Sequence, residues 1–132
     1  MQTSQDRWFL LGDLHGEAAP IDLFYWDNRD RLNLDDGNNH IILLGDVGAN
    51  FGLKGLRDQR FKKALSQYPF TYICLRGNHE ARVQNVINGN PRGWKQEHKY
   101  GGAIYVEKKY PKIEYLSDVP AVYEFAGYKT FS

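Results

Sequence analysis

Three short apolar runs, Trp8 to Leu11, Ile41 to Leu44 and Phe70 to Leu75, punctuate the first half of this chain. Runs this brief and continuous suit strands covered on both faces. Between them the period changes. After Pro20, a residue suited to a first helical turn, Ile21, Phe24, Tyr25 and Leu32 fall roughly on one helical face. Asp35-Asp36-Gly37-Asn38-Asn39 reads as a turn cluster ahead of a second strand, His40 to Leu44. Phe61, Ala64, Leu65 and Tyr68 recur at helical spacing before Pro69 closes their segment. A short helical stretch with Val83, Val86 and Ile87 follows the third strand, and Asn88-Gly89-Asn90-Pro91-Arg92-Gly93 ends it. The expected architecture is α/β, a βαβαβ sheet of parallel strands with right-handed crossovers, flanked by helices. Beyond Gly93 the pattern weakens. Ile113 to Leu116 and Ala121 to Phe125 read as strands, and Gly127 turns the chain into Tyr128 to Ser132. Tyr100, Tyr105, Tyr110 and Tyr115 recur at a spacing that fits neither strand nor helix and carries no structural expectation.

Each of the three runs ends in glycine and metal-binding residue types. The first leads into Gly12-Asp13-Leu14-His15-Gly16, the second into Gly45-Asp46-Val47-Gly48, the third into Arg76-Gly77-Asn78-His79-Glu80. Ligands in open parallel sheets bind outside the carboxyl ends of the strands. The motifs can therefore converge although 33 residues separate Asp13 from Asp46 and 32 separate Asp46 from Asn78. Carboxylate, imidazole and amide oxygen together suit divalent cations of intermediate hardness: manganese, iron or zinc. Asp13 and His15, two residues apart on an extended segment, can grip one ion; Asp46 can bridge two; Asn78 can ligate the second. Two such ions can clamp a phosphoryl group and hold a hydroxide for attack on phosphorus; His79 would then protonate the leaving oxygen and Glu80 orient or charge-stabilise that imidazole. The plainer alternative makes Asp13 and Asp46 helix N-caps after βα turns.

Composition narrows the class without deciding it. A chain of 132 residues with 42% hydrophobic and 25% charged content supports one domain, residues 1–132, with a real core. Seventeen Lys and Arg against sixteen Asp and Glu leave +1, so no global field points to a nucleic-acid scaffold. The lone cysteine, Cys74, cannot form an internal disulfide and reads as a small core residue. No basic segment precedes a long apolar run, so neither a signal peptide nor a membrane span is expected, and a cytoplasmic protein is the default. Trp8, Trp26 and Trp94 read as packing, His40 as structural or solvated, and His98 as exposed.

With those residues in view, the sequence resembles the calcineurin-like metallophosphoesterase superfamily over about residues 8–87, and more loosely in the tail. Asp13-Leu14-His15, Gly45-Asp46 and Gly77-Asn78-His79-Glu80 match its three successive motifs. The Gly-Asp-Leu-His-Gly form of the first, and Leu75-Arg76 before the third, are similar to the serine/threonine protein phosphatase branch. The resemblance implies metal-dependent hydrolysis of a phosphorylated protein or small molecule, with two divalent ions as cofactors. It assigns Asp13 and His15 to the first metal, Asp46 to both, Asn78 to the second and His79 to the leaving group.

Two departures shape the alternatives. In the protein phosphatase branch the second motif continues into Asp-Arg, where this chain has Ala49-Asn50. The phosphate-facing arginine expected there is absent, and Arg82 is carried as a substrate-binding candidate against the alternative of a solvated helix arginine. The family also completes its metal sites with Gly-His and Gly-His-x-His motifs that do not occur before Ser132, so the chain is expected to be the amino-terminal portion of such a domain. Two alternatives stand beside the phosphatase: a nucleotide or dinucleoside polyphosphate hydrolase, and a catalytically impaired binding scaffold. An uncovered edge strand leaves self-association open.

Overall fold

A computed structural model describes residues 6–12, 14, 16–36, 38–44, 56–75, 87–117, 122–125 and 128–131. The first three strands are β1 (Asp6–Gly12), β2 (Asn38–Leu44) and β3 (Phe70–Cys74). They lie side by side, all parallel, with Leu11 opposite Leu43 and Leu43 opposite Cys74. Helix α1 (Ala19–Asn28) connects β1 to β2, and α2 (Leu56–Leu65) lies between β2 and β3. Strand alternation then sorts the side chains. Phe9, Leu11, Ile41, Leu43, Tyr72 and Cys74 pack with Ile21, Phe24, Phe61 and Leu65 in one cluster, so both helices cover the same face. Helices on one face are what two right-handed crossovers in the same direction produce.

The second half completes the sheet. Strands β4 (Trp94–Lys99), β5 (Gly102–Glu107) and β6 (Ile113–Leu116) join it in the order β1-β2-β3-β6-β5-β4. β6 is parallel to β3, whereas β5 and β4 run antiparallel to their neighbours. A separate hairpin, β7 (Val122–Phe125) and β8 (Tyr128–Phe131), supplies Tyr123 and Phe125 to the opposite face. These two pack in a second cluster with Ile73, Ile104, Val106 and Leu116, flanked by Trp8 and Ile42. The Tyr123 hydroxyl donates to the Ala103 carbonyl at 2.6 Å and accepts from the Ser117 amide at 3.1 Å, fixing the hairpin on the sheet.

Several expectations need correcting. The β4–β5 hairpin is not among the expected elements: four of the six β4 side chains are exposed and all its residues but Trp94 are polar, although β5 supplies Ile104 and Val106 to the second cluster. Its turn, Tyr100-Gly101 with φ of 58° and 84°, has the two consecutive left-handed residues of a tight hairpin turn. β2 begins at Asn38, so Asn38 and Asn39 belong to the strand rather than to a turn; Leu34–Asp36 is a single 3-10 turn. Leu32 and Tyr68 lie just past the ends of α1 and α2, yet both pack on the core from the turns that follow. Trp94 is buried, whereas Trp26 is 60% exposed and does not pack in the core. His98 is exposed and Cys74 buried, as expected. Val83 and Val86 lie outside the described residues; residues 87–89 are helical.

Candidate active site

The three motifs begin where β1, β2 and β3 stop. Gly12, the last residue of β1, is registered against Leu44, the last of β2. Beyond Cys74 the Leu75 amide still donates to the Leu43 carbonyl at 3.1 Å. Neighbouring strands run about 4.8 Å apart, so Asp13, Gly45 and Arg76 follow directly in sequence from adjacent positions on one carboxyl-terminal sheet edge. Of these three strands β2, the one that leads to Asp46, lies in the middle.

Of the first motif, the residues described are Gly12, Leu14 and Gly16. Leu14 is buried in the cluster beneath the helices, which anchors the loop from inside. Gly16 takes φ of 74°, a conformation that side chains resist, and the Glu17 amide donates to the Leu14 carbonyl to close the turn at 3.0 Å. α1 then opens with Ala18 at its N-cap and no side-chain cap, with Pro20 in the first turn. The N-cap position of α1 is thus Ala18, several residues after the first motif's aspartate in sequence. Asp13, His15, Asp46, Asn78, His79, Glu80 and Arg82 themselves lie outside the described residues.

Elsewhere the described residues offer little competition. Among them no group of three His, Cys, Asp or Glu side chains is placed to hold a metal ion. A cavity of about 240 Å³ lined by Asn38, His40, Thr71 and Lys112 opens at the other end of β2 and β3. It sits at the amino-terminal edge and falls below the roughly 300–1,000 Å³ of ordinary ligand pockets. Beside it, His40 stacks on Trp8 with ring centroids 4.3 Å apart, and its Nδ1 is buried without a hydrogen-bond partner among the described residues. Burial pushes the His40 imidazole below its ordinary pKa, against the pull of Asp6. Its role is structural. On β6 nearby, the Glu114 carboxylate accepts from Lys99 Nζ at 2.7 Å and from the Tyr100 hydroxyl at 2.6 Å, locking the β4–β5 turn to the sheet. Burial and the Glu114 carboxylate push the Tyr100 hydroxyl upward, so it remains a donor. Hydrophobic periodicity could not reveal these pairs, since each joins residues distant in sequence.

The family profile described as Calcineurin-like phosphoesterase matches residues 7–127. No curated protein and no solved structure matches the chain. The match takes in nearly the whole chain, from β1 to the end of β7, and the chain belongs to the calcineurin-like phosphoesterase family. The family's general chemistry is metal-dependent hydrolysis of phosphoesters, and the mixed α/β architecture is consistent with its fold.

Proposed function

We propose that this protein hydrolyses phosphate esters at a two-metal centre built from the loops after β1, β2 and β3. The observation that carries the reading is the strand order. A ligand shared by two ions has to stand between the ligands of each, and β2, which leads to Asp46, is flanked by β1 and β3. The donor set fits two divalent cations: Asp13 and His15 for one, Asn78 for the other and Asp46 for both, with manganese, iron and zinc matching its mixed oxygen and nitrogen character. When bound, such ions neutralise phosphoryl charge and acidify water.

The protein's own groups then complete the reaction. His79 holds the proton that the leaving oxygen takes as its bond to phosphorus breaks, and Glu80 stabilises the protonated imidazole and keeps it aimed. Arg82 serves the substrate's remaining phosphoryl oxygens. Arg76 and the Gly-Asp-Leu-His-Gly form of the first motif support a phosphoprotein substrate, while Ala49-Asn50 supports a smaller one such as a nucleotide or dinucleoside polyphosphate. Hydrolysis of an aryl phosphate with manganese, comparing wild type with His79→Asn, tests the class. With phenyl phosphate as that substrate, whose unactivated leaving group needs a proton, loss of general-acid catalysis is expected to lower kcat by about 100-fold or more. Equal rates would remove His79 from the mechanism. Metal retained after extensive dialysis separates an enzyme from a binding scaffold, which would keep none.

A further inference from the structure

Helix α1 is apolar on two sides. Ile21, Phe24 and Tyr25 face the sheet and pack into the core. The opposite stripe begins with Leu23 and Trp26, one turn apart and 62% and 60% exposed, followed by the exposed Asp27 and Asp30. Two of the four large apolar side chains exposed among the described residues thus sit together on this one helix.

The tryptophan is held in place rather than left free. Its Nε1 donates to Asp22 Oδ1 at 3.1 Å, and the same oxygen accepts the Tyr68 hydroxyl at 2.6 Å, tying the bracket to the turn after α2. The Arg29 guanidinium lies 5.5 Å from the indole centroid, and the Tyr25 ring meets it edge-on at 5.1 Å. A rigid aromatic in a polar bracket loses little entropy when covered, which is the character of an interface hot spot. The stretch of chain that carries this face is acidic, with Arg29 beside the indole paired to Asp35. From Glu17 to Asp36 six acids (Glu17, Asp22, Asp27, Asp30, Asp35, Asp36) stand against Arg29 and Arg31, a local charge of −4 in a chain whose total is +1.

We infer that this face of α1 docks a basic amphipathic helix of a partner protein, whose apolar side covers Leu23 and Trp26 while its Lys or Arg residues meet Asp27 and Asp30. The acidic rim selects the partner's sign and disfavours anionic lipid or nucleic acid, which the same charges repel. This surface is independent of the metal centre, since none of its residues belongs to the three motifs.

The test uses the whole chain and a labelled Leu/Lys amphipathic helical peptide, read by fluorescence anisotropy. A Leu/Glu counterpart and phosphatidylserine-containing vesicles serve as competing probes. The Leu/Lys peptide is expected to bind with salt-sensitive affinity. Trp26→Ala, Leu23→Ser and the pair Asp27→Lys, Asp30→Lys are each expected to weaken it by about tenfold or more. Because these side chains are exposed, the thermal midpoints should stay within a few degrees of wild type, and aryl phosphate hydrolysis should be unchanged. Equal binding of both peptides, or wild-type affinity in Trp26→Ala and Leu23→Ser, overturns the inference. So does preferential uptake by the vesicles, or a concentration-dependent self-association that Trp26→Ala abolishes, which would assign the face to a second copy of the chain.

Discussion

Gly12 and Gly16 bracket the first motif but answer different needs. Gly16 has φ of 74°, so a side chain there is strained whatever space surrounds it. Gly12 lies in the extended strand β1, and a methyl group added to it would sit 3.7 Å from the Leu44 carbonyl oxygen, an ordinary contact. Gly16→Ala is therefore expected to destabilise the fold by about 1 kcal/mol or more. Gly12→Ala is expected to stay within about 0.5 kcal/mol of wild type. Urea denaturation of both variants measures the difference, and an equal loss in each would show that Gly12 carries a backbone constraint of its own.

At the scale of elements, α2 is tied to β5 by a buried ion pair. Lys62 Nζ lies 2.8 Å from Glu107 Oε1, with only 2% and 10% of the two side chains exposed. The ammonium also rests 5.8 Å from the Trp94 ring centroid and 5.9 Å from that of Tyr110. Removing one partner of such a pair leaves the other charge buried and alone. Lys62→Met is expected to cost about 3–5 kcal/mol, and adding Glu107→Met to recover most of that loss. Chemical denaturation of the two single variants and the double variant checks it; additive losses would mean the pair is not coupled. The same elements show how sheet edges are managed. The outer strand β4 exposes Lys95, Gln96, His98 and Lys99, and lysine on an edge discourages another strand from pairing there.

Across the whole molecule, the amino-terminal end of the sheet carries a pH dependence. Trp8 on β1 and His40 on β2 stack there, with Phe125 of β7 5.6 Å and Tyr100 6.0 Å from the indole. Asp6 and Glu114 favour the charged imidazole of His40, Lys99 opposes it, and burial opposes it most. The folded pKa is therefore lower than the unfolded value of 6.5. As pH falls through that value the unfolded chain takes up the proton first, so this contribution to stability is full above it and is lost below. The slope is limited to about 1.4 kcal/mol per pH unit for one proton. His40→Gln is expected to flatten the pH dependence of the thermal midpoint between neutral and mildly acid conditions. An unchanged profile would place the dependence on other groups.

What the residues alone determined are the features written in local pattern: three apolar runs as adjacent parallel strands, two helices between them, and glycine-led motifs at the strand ends. Ile113–Leu116 and the final hairpin were legible for the same reason, since each is a short apolar run with a turn signal. The order β1-β2-β3, with the Asp46 strand in the middle, was decided in space, since right-handed crossovers equally allow β1 to lie between β2 and β3. Tertiary structure decided the rest. The turn of the β4–β5 hairpin is held by Lys99, Tyr100 and Glu114, and the Lys62–Glu107 pair joins residues 45 apart. Trp26 looked like core because tryptophan usually is. Only the packing of α1 shows that Ile21, Phe24 and Tyr25 already fill the space beneath it, leaving the indole on the surface.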